Sequence, residues 1–250
     1  MTDQLPCTGR LSMASEKIVN IFDLKSEDIN AWDMAWALSQ INRYNGCTPV
    51  PFDVLSHTGL VYALYMAEHT TVESRNPGTI LALLLHDAPE AFIGDIPLPT
   101  KSLDQMAWLR ELEDEILQVI FTRFGLDWQS VEWEMVKRYD NMAGNVEIHW
   151  LKPTSNNDPY FQRLQVEMPF PYKPLSKARP IDLVKLLYAG AQHFKAHDID
   201  ALFATPPILE PYIDTSDLPG DKSAETKVVV EGDTSFPTIR DSSDIDNMKV

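Results

Sequence analysis

Ile80-Leu81-Ala82-Leu83-Leu84-Leu85 is aliphatic on every side and runs directly into His86-Asp87. A helix with no polar face belongs at the centre of a larger structure, because no side of it can face water without cost. The same burial makes the imidazole and carboxylate that follow expensive unless they are partnered. A divalent cation satisfies both groups at once. Glu90 and Asp95 follow closely, the latter in Gly94-Asp95-Ile96-Pro97-Leu98-Pro99. Prolines at i and i+2 predict a rigid, non-helical loop there.

The rest of the chain reads as helices that could surround this one. A first helix is expected from a cap at Ser26-Glu27-Asp28, with Ile29, Trp32, Met34, Ala35, Leu38 and Ile41 on its apolar face and a stop at Asn45-Gly46. Pro51 opens a second, from Phe52 to His69. The central helix is expected over Gly78 to Phe92, a fourth over Leu103 to Phe124 closed by Gly125, a fifth over Gln129 to Leu151, and a last over Ile181 to Phe194 with a possible extension to Phe203. The expected class is all-α, a bundle occupying 23–212. Residues 1–22 are polar and expected to be mobile, and 152–180 to be irregular. From 213 the chain is an acidic tail, with nine Asp/Glu against four Lys/Arg over 214–250, a composition expected to stay disordered. Lys227 to Val230 is its one strand-like piece.

Composition narrows the function. A chain of 250 residues, 44% hydrophobic, supports one well-buried domain with tails. A net charge of −16 speaks against a nucleic-acid partner, but a cation and a few Arg or Lys can reverse the sign locally for a small anion. The six tryptophans, 32, 36, 108, 128, 133 and 150, are expected mostly in the core, with no stacking platform for single strands. Cys7 and Cys47 make neither a disulfide framework nor a thiolate zinc site, which suits a reducing interior. With no signal-peptide core at the start and no run near the ~20 apolar residues of a membrane span, a cytoplasmic protein with no membrane partner is expected.

His86 and Asp87 need further ligands from elsewhere. His57, in Leu55-Ser56-His57-Thr58, is the best third and Asp140 the best fourth, with Glu147 and His149 as rivals to Asp140. Such a set leaves a position open for water and substrate. It is compatible with Mn, Fe, Co, Zn, Ni or Mg. Glu90, one turn after His86, can serve as general acid or base, and Asp95 is a second candidate for that role. His69, His149, His193 and His197 are read as structural or surface residues.

An H-D pair in a buried helix, an earlier His and a later Asp resemble the HD-domain metal phosphohydrolases. The spacing H-D-x-x-E-x-x-x-x-D-I-P-x-P-x-K resembles the small bacterial and phage branch of 5′-deoxynucleotidases and deoxynucleoside triphosphate hydrolases, over roughly Asp28 to Asp140. The resemblance implies an HD-domain helical bundle with His57, His86, Asp87 and Asp140 on the metal and Glu90 and Asp95 in acid/base catalysis. It implies that Arg43 contacts phosphate and that Tyr44 crowds the sugar 2′ position, and Lys101 is expected to assist at the phosphate. Tyr44 stands where some members carry Trp, Ser56 where an acidic or amide residue often precedes the His, and the acidic tail is an addition. The expected function is a 5′-deoxynucleotidase. The alternatives are a dATP-type triphosphohydrolase and, from another class, a non-catalytic nucleotide sensor. A homo-oligomer is expected from the resemblance alone.

Overall fold

The computed structural model describes residues 9–151 and 178–206. Those residues form a predominantly helical structure, as the sequence pattern requires. The elements are a hairpin of β1 (Arg10–Ser12) and β2 (Ile18–Asn20), then α1 (Ala31–Gln40), α2 (Val54–Glu68), α3 (Pro77–Leu85), α4 (Glu90–Ile93), α5 (Leu98–Lys101), α6 (Ala107–Phe124), α7 (Trp133–Leu151), α8 (Pro180–His193) and α9 (Ile199–Leu202). The acidic tail, the strand-like Lys227 to Val230 and most of the expected irregular stretch lie outside the described residues.

α3 is the hub. Its start is set by Asn76, whose side chain accepts from the Gly78 and Thr79 amides, with Pro77 in the first turn. Leu81 to Leu85 are all buried, and α2, α6, α7 and α8 pack around them. The approach of α8 is close, since a Cβ on Gly190 would meet Leu81 Cδ1 at 2.9 Å and push that side chain aside. α2 also packs against α7 and α1, and α1 against α8 and α4. At the far end of the α2–α7 seam, Arg138 donates to both Glu68 oxygens at 3.1 and 2.8 Å, and the Tyr139 hydroxyl donates to Glu68 at 2.8 Å.

Several boundaries differ from the sequence expectation, each for a local reason. The hairpin falls within the segment expected to be mobile: Leu11 pairs with Val19, and Met13 and Val19 enter the core. The Ser15 amide and hydroxyl donate to Asp33 of α1 at 2.7 and 2.6 Å, which ties the turn down. Ser26–Asp28 forms only a 3-10 turn, because Asn30 captures the Trp32 and Asp33 amides and starts α1 at Ala31. The second helix starts at Val54, capped by Asp53, and the fifth at Trp133.

The expected continuous helix from Gly78 to Phe92 is broken. Pro89 has no amide proton for the Leu85 carbonyl, so the Ala88 amide takes that acceptor at 2.9 Å, and α4 begins only at Glu90. The loop expected at 94–99 is shorter than the prolines suggested, since Pro99 fits the first turn of α5. Lys195 and Asp198, both with positive φ, separate α8 from α9. Trp32 is buried as expected, whereas Trp108 and Trp150 are exposed.

Gly125 ends α6 in the left-handed conformation at φ 76°, and a Cβ there would lie 2.6 Å from the Phe194 carbonyl oxygen. Gly125→Ala therefore combines a backbone penalty of roughly 1–2 kcal/mol with a backbone clash. It should lower the urea midpoint of unfolding with the m-value unchanged. An unchanged midpoint would show that the α6–α8 junction can shift.

Candidate metal centre

Four side chains from three separate stretches of sequence meet where the start of α2, the end of α3 and the middle of α7 come together. His57 sits in the first turns of α2 and is fully buried. His86 is the C-cap of α3, and Asp87 follows in the turn forced by Pro89. Asp140 comes from the middle of α7 and is the most open of the four, its side chain 42% exposed. The His57 Nε2 atom lies 3.3 Å from His86 Nε2, 3.3 Å from Asp87 Oδ2 and 3.2 Å from Asp140 Oδ1. His86 Nε2 is 3.3 Å from the same Asp87 oxygen.

Both rings are held from behind. The His86 Nδ1–H donates to the Leu83 carbonyl at 2.7 Å, and His57 Nδ1 meets Glu147 Oε1 at 2.5 Å. A carbonyl and a carboxylate accept only, so both Nδ1 atoms carry a proton and both Nε2 atoms face the cluster. Two imidazole nitrogens aimed at a carboxylate oxygen fit a divalent cation, which would take the place of any Nε2 proton. The donor atoms of His57, His86 and Asp87 lie close enough together to hold one, and Asp140 stands at their open side.

Glu147 is the residue that the sequence pattern placed least well. It appeared as a rival fourth ligand, but it lies behind His57 and not among the converging donors. It is fully buried, and its Oε2 accepts from Arg43 Nε at 3.1 Å and from the Tyr44 hydroxyl at 2.8 Å. The available signal is positional. Glu147 is two helical turns after Asp140, and it falls on the stripe of Val136, Tyr139, Ala143 and Val146 that α7 buries.

Arg43 and Tyr44 are brought here by a loop closed at its base, where the Arg43 amide donates to the Phe52 carbonyl at 2.9 Å and the Val54 amide to Ile41 at 3.0 Å. Tyr44 and Asn45 both adopt left-handed backbone, at φ 57° and 53°. Arg43 lies between Glu147 and Asp87, its Nη1 3.6 Å from Asp87 Oδ2. Lys101, expected at the phosphate, instead pairs with Glu113 of α6 at 2.7 Å. Its charge still acts on Glu90 and Asp87.

The electrostatics follow from this packing. Burial and Arg43 oppose a charged His57, but Glu147 and Asp140 outweigh them and push the ring up to about 10. Burial likewise opposes a charged His86, and Asp87 more than offsets it, so this ring is raised too. Surroundings that favour a proton on two imidazoles favour a cation for the same electrostatic reason. Despite burial, Asp87 is lowered by His86, His57 and Arg43, Asp140 by His57, and Glu147 by Arg43 and His57.

Glu90 goes the other way. It is 6% exposed, its Oε2 has no hydrogen-bond partner among the described residues, and burial together with the Asp87 and Asp95 charges pushes it up to about 9. Asp95, half-buried after Gly94, is raised by burial, with Arg43 opposing and Asp87 adding to the rise. The break at Pro89 removes the continuous helical face expected to join His86 and Glu90, yet Glu90 stays electrostatically coupled to Asp87.

No protein-family model matches the chain. An uncharacterized protein of Rhodobacter capsulatus is 33% identical over 116 residues, which cover 46% of this chain and 57% of that protein. The chain thus matches little more than half the length of that relative. Among the described residues, no helix is long and apolar enough to cross a membrane.

Glu90 makes stability depend on pH. Its folded value of about 9 lies above the ordinary 4.5, so the protonated form is the one the fold favours. The contribution is fully present below the ordinary value, falls as pH rises and is lost above about 9. Glu90→Gln cannot ionise. In EDTA-treated protein its stability relative to the natural sequence should rise from about pH 5 to about pH 8, by up to ~1.4 kcal/mol per pH unit. Urea unfolding measures this, and an offset independent of pH would contradict the assignment.

Proposed function

We propose that the chain is an HD-type, metal-dependent phosphohydrolase of deoxynucleotides, with 5′-deoxynucleoside monophosphates as its substrates. One observation carries this reading: His57, His86, Asp87 and Asp140 converge from three helices beside the half-buried Arg43 guanidinium and the buried Glu90 carboxyl, whose proton burial and neighbouring charge favour. A divalent cation held by the four residues would polarise a phosphoryl oxygen, acidify a water and draw Glu90 down from about 9 toward neutrality.

The chain's own residues supply the remainder. Arg43 is charged at any working pH and already oriented by Glu147. It offers its guanidinium to phosphate oxygens as their charge grows in the transition state. Glu90, whose proton burial favours and whose Oε2 has no partner among the described residues, gives its proton to the leaving 5′ oxygen. Asp95 accepts the proton of the attacking water. The Tyr44 ring, fixed by its hydroxyl on Glu147, stands beside Arg43, where it can crowd a sugar 2′-hydroxyl. Lys101, paired with Glu113, tempers the acidic cluster.

The test is incubation of the protein with Mn²⁺, Co²⁺, Mg²⁺ or Zn²⁺ and each deoxynucleoside monophosphate, deoxynucleoside triphosphate and matching ribonucleotide, with products resolved by chromatography. Phosphate should be released from the deoxynucleoside monophosphates and more slowly from the ribonucleotides. EDTA and Asp87→Ala should abolish release, and Glu90→Gln should lower kcat by about 10²–10⁴-fold. Triphosphate released from one deoxynucleoside triphosphate would instead make the protein a triphosphohydrolase using the same residues. No turnover with any of these metals would leave a nucleotide sensor as the better reading.

A further inference from the structure

Glu147 is a fully buried carboxylate that touches three other site residues from one position. Its Oε1 holds the Nδ1 of His57, and its Oε2 receives Arg43 Nε and the Tyr44 hydroxyl. These partners belong to two parts of the site whose backbones pair at the base of the Arg43–Tyr44 loop. His57 belongs to α2 and the converging donors, whereas Arg43 and Tyr44 belong to a turn with left-handed backbone at Tyr44 and Asn45. An aromatic residue in that conformation persists only where its surroundings hold it. The bond from the Tyr44 hydroxyl to Glu147 is such a restraint.

We propose that Glu147 is a positioning residue with two linked effects: it fixes His57 as an Nε2 donor to a divalent cation, and it ties the Arg43–Tyr44 turn to that donor. The inference deepens the metal-dependent phosphohydrolase reading and rests on it for the identity of the anion at Arg43. The assignment to His57 follows from acceptor chemistry. An ionised carboxylate can only accept, so Nδ1 keeps its proton and Nε2, facing His86, Asp87 and Asp140, is the nitrogen left to a cation. The link follows from sharing. A carboxylate has room for about four hydrogen bonds, and here the metal-facing ring and the phosphate-facing guanidinium draw on the same group. Displacing Glu147 therefore disturbs both ends together. A residue that only filled space in the α2–α7 seam would disturb neither in this specific way.

The test uses the full chain, stripped with EDTA, as the natural sequence, Glu147→Gln and Glu147→Asp. The amide keeps the shape but can no longer accept from His57 and from Arg43 and Tyr44 together. The aspartate keeps the charge but withdraws it by one methylene, and it decides the matter if the amide variant does not fold. Two readouts are taken on each folded variant. Long-range ¹H–¹⁵N spectra with diamagnetic Zn²⁺ added back report which His57 nitrogen keeps its proton, and calorimetric titration with Mn²⁺ reports affinity. The natural protein should show His57 protonated on Nδ1. The variants should show a loss of that single form and Mn²⁺ affinity weakened roughly 10- to 100-fold. A folded variant with the natural His57 spectrum and Mn²⁺ affinity would overturn the proposal. If the natural protein binds Mn²⁺ but hydrolyses no nucleotide, the phosphohydrolase reading fails, and the affinity comparison still decides the role of Glu147. If it binds no divalent cation, the proposal fails.

Discussion

The His57–Glu147 hydrogen bond, between two side chains with no exposure to solvent, is the constraint on which the rest of the site depends. Neither group tolerates that position alone, since an unpaired buried charge is strongly destabilising. The pair therefore dictates how α2 and α7 must meet. Any slide of one helix along the other would separate His57 from both Glu147 and Asp140. At the other end of the same seam, Glu68 holds Arg138 and Tyr139, so two polar clamps fix the register of these helices around an apolar middle. α3 lies against this seam and delivers His86 and Asp87 to one end of it.

Charge is the second organising quantity. Asp87, Asp140 and Glu147 are held ionised by Arg43 and the two histidines, each in spite of burial. Glu90 is left outside that balance, close enough to Asp87 and Asp95 to keep its proton but without a hydrogen-bond partner for Oε2 among the described residues. A group in that condition lowers the stability of the fold at neutral pH, and it is also the kind of group that can transfer a proton. The cost and the reactivity have one origin, burial beside like charge. Arg43 shows a similar conflict, because the carboxylates that orient it also compete with any anion for its guanidinium.

Much of the architecture was readable along the chain because it rests on local rules. The all-apolar α3, the Gly125 stop and the apolar face of α1 are written in single residues or short periodicities. The misreadings were also local. Pro89 sits inside a strongly helical pattern, and its missing amide proton outweighed that pattern. The polar hairpin of β1 and β2 has little pattern of its own and is held by contacts with Asp33 and the core.

The sequence by itself determined a helical protein with a central apolar helix ending in a histidine and an aspartate, and it proposed His57 and Asp140 as their companions. Spacing also put Glu90 and Asp95 within reach of the same site, and the family resemblance implied Arg43. Only the tertiary structure decided which atoms face one another. Glu147 lies behind His57 and not beside Asp140, Lys101 is held by Glu113, and Arg43 is shared by two carboxylates. The physical reason is that a ligand's candidacy depends on residue type and spacing, which are local. The direction of a ring nitrogen and the charge of a buried carboxyl depend on what packs behind them, and here those groups come from helices that meet only when the chain is folded.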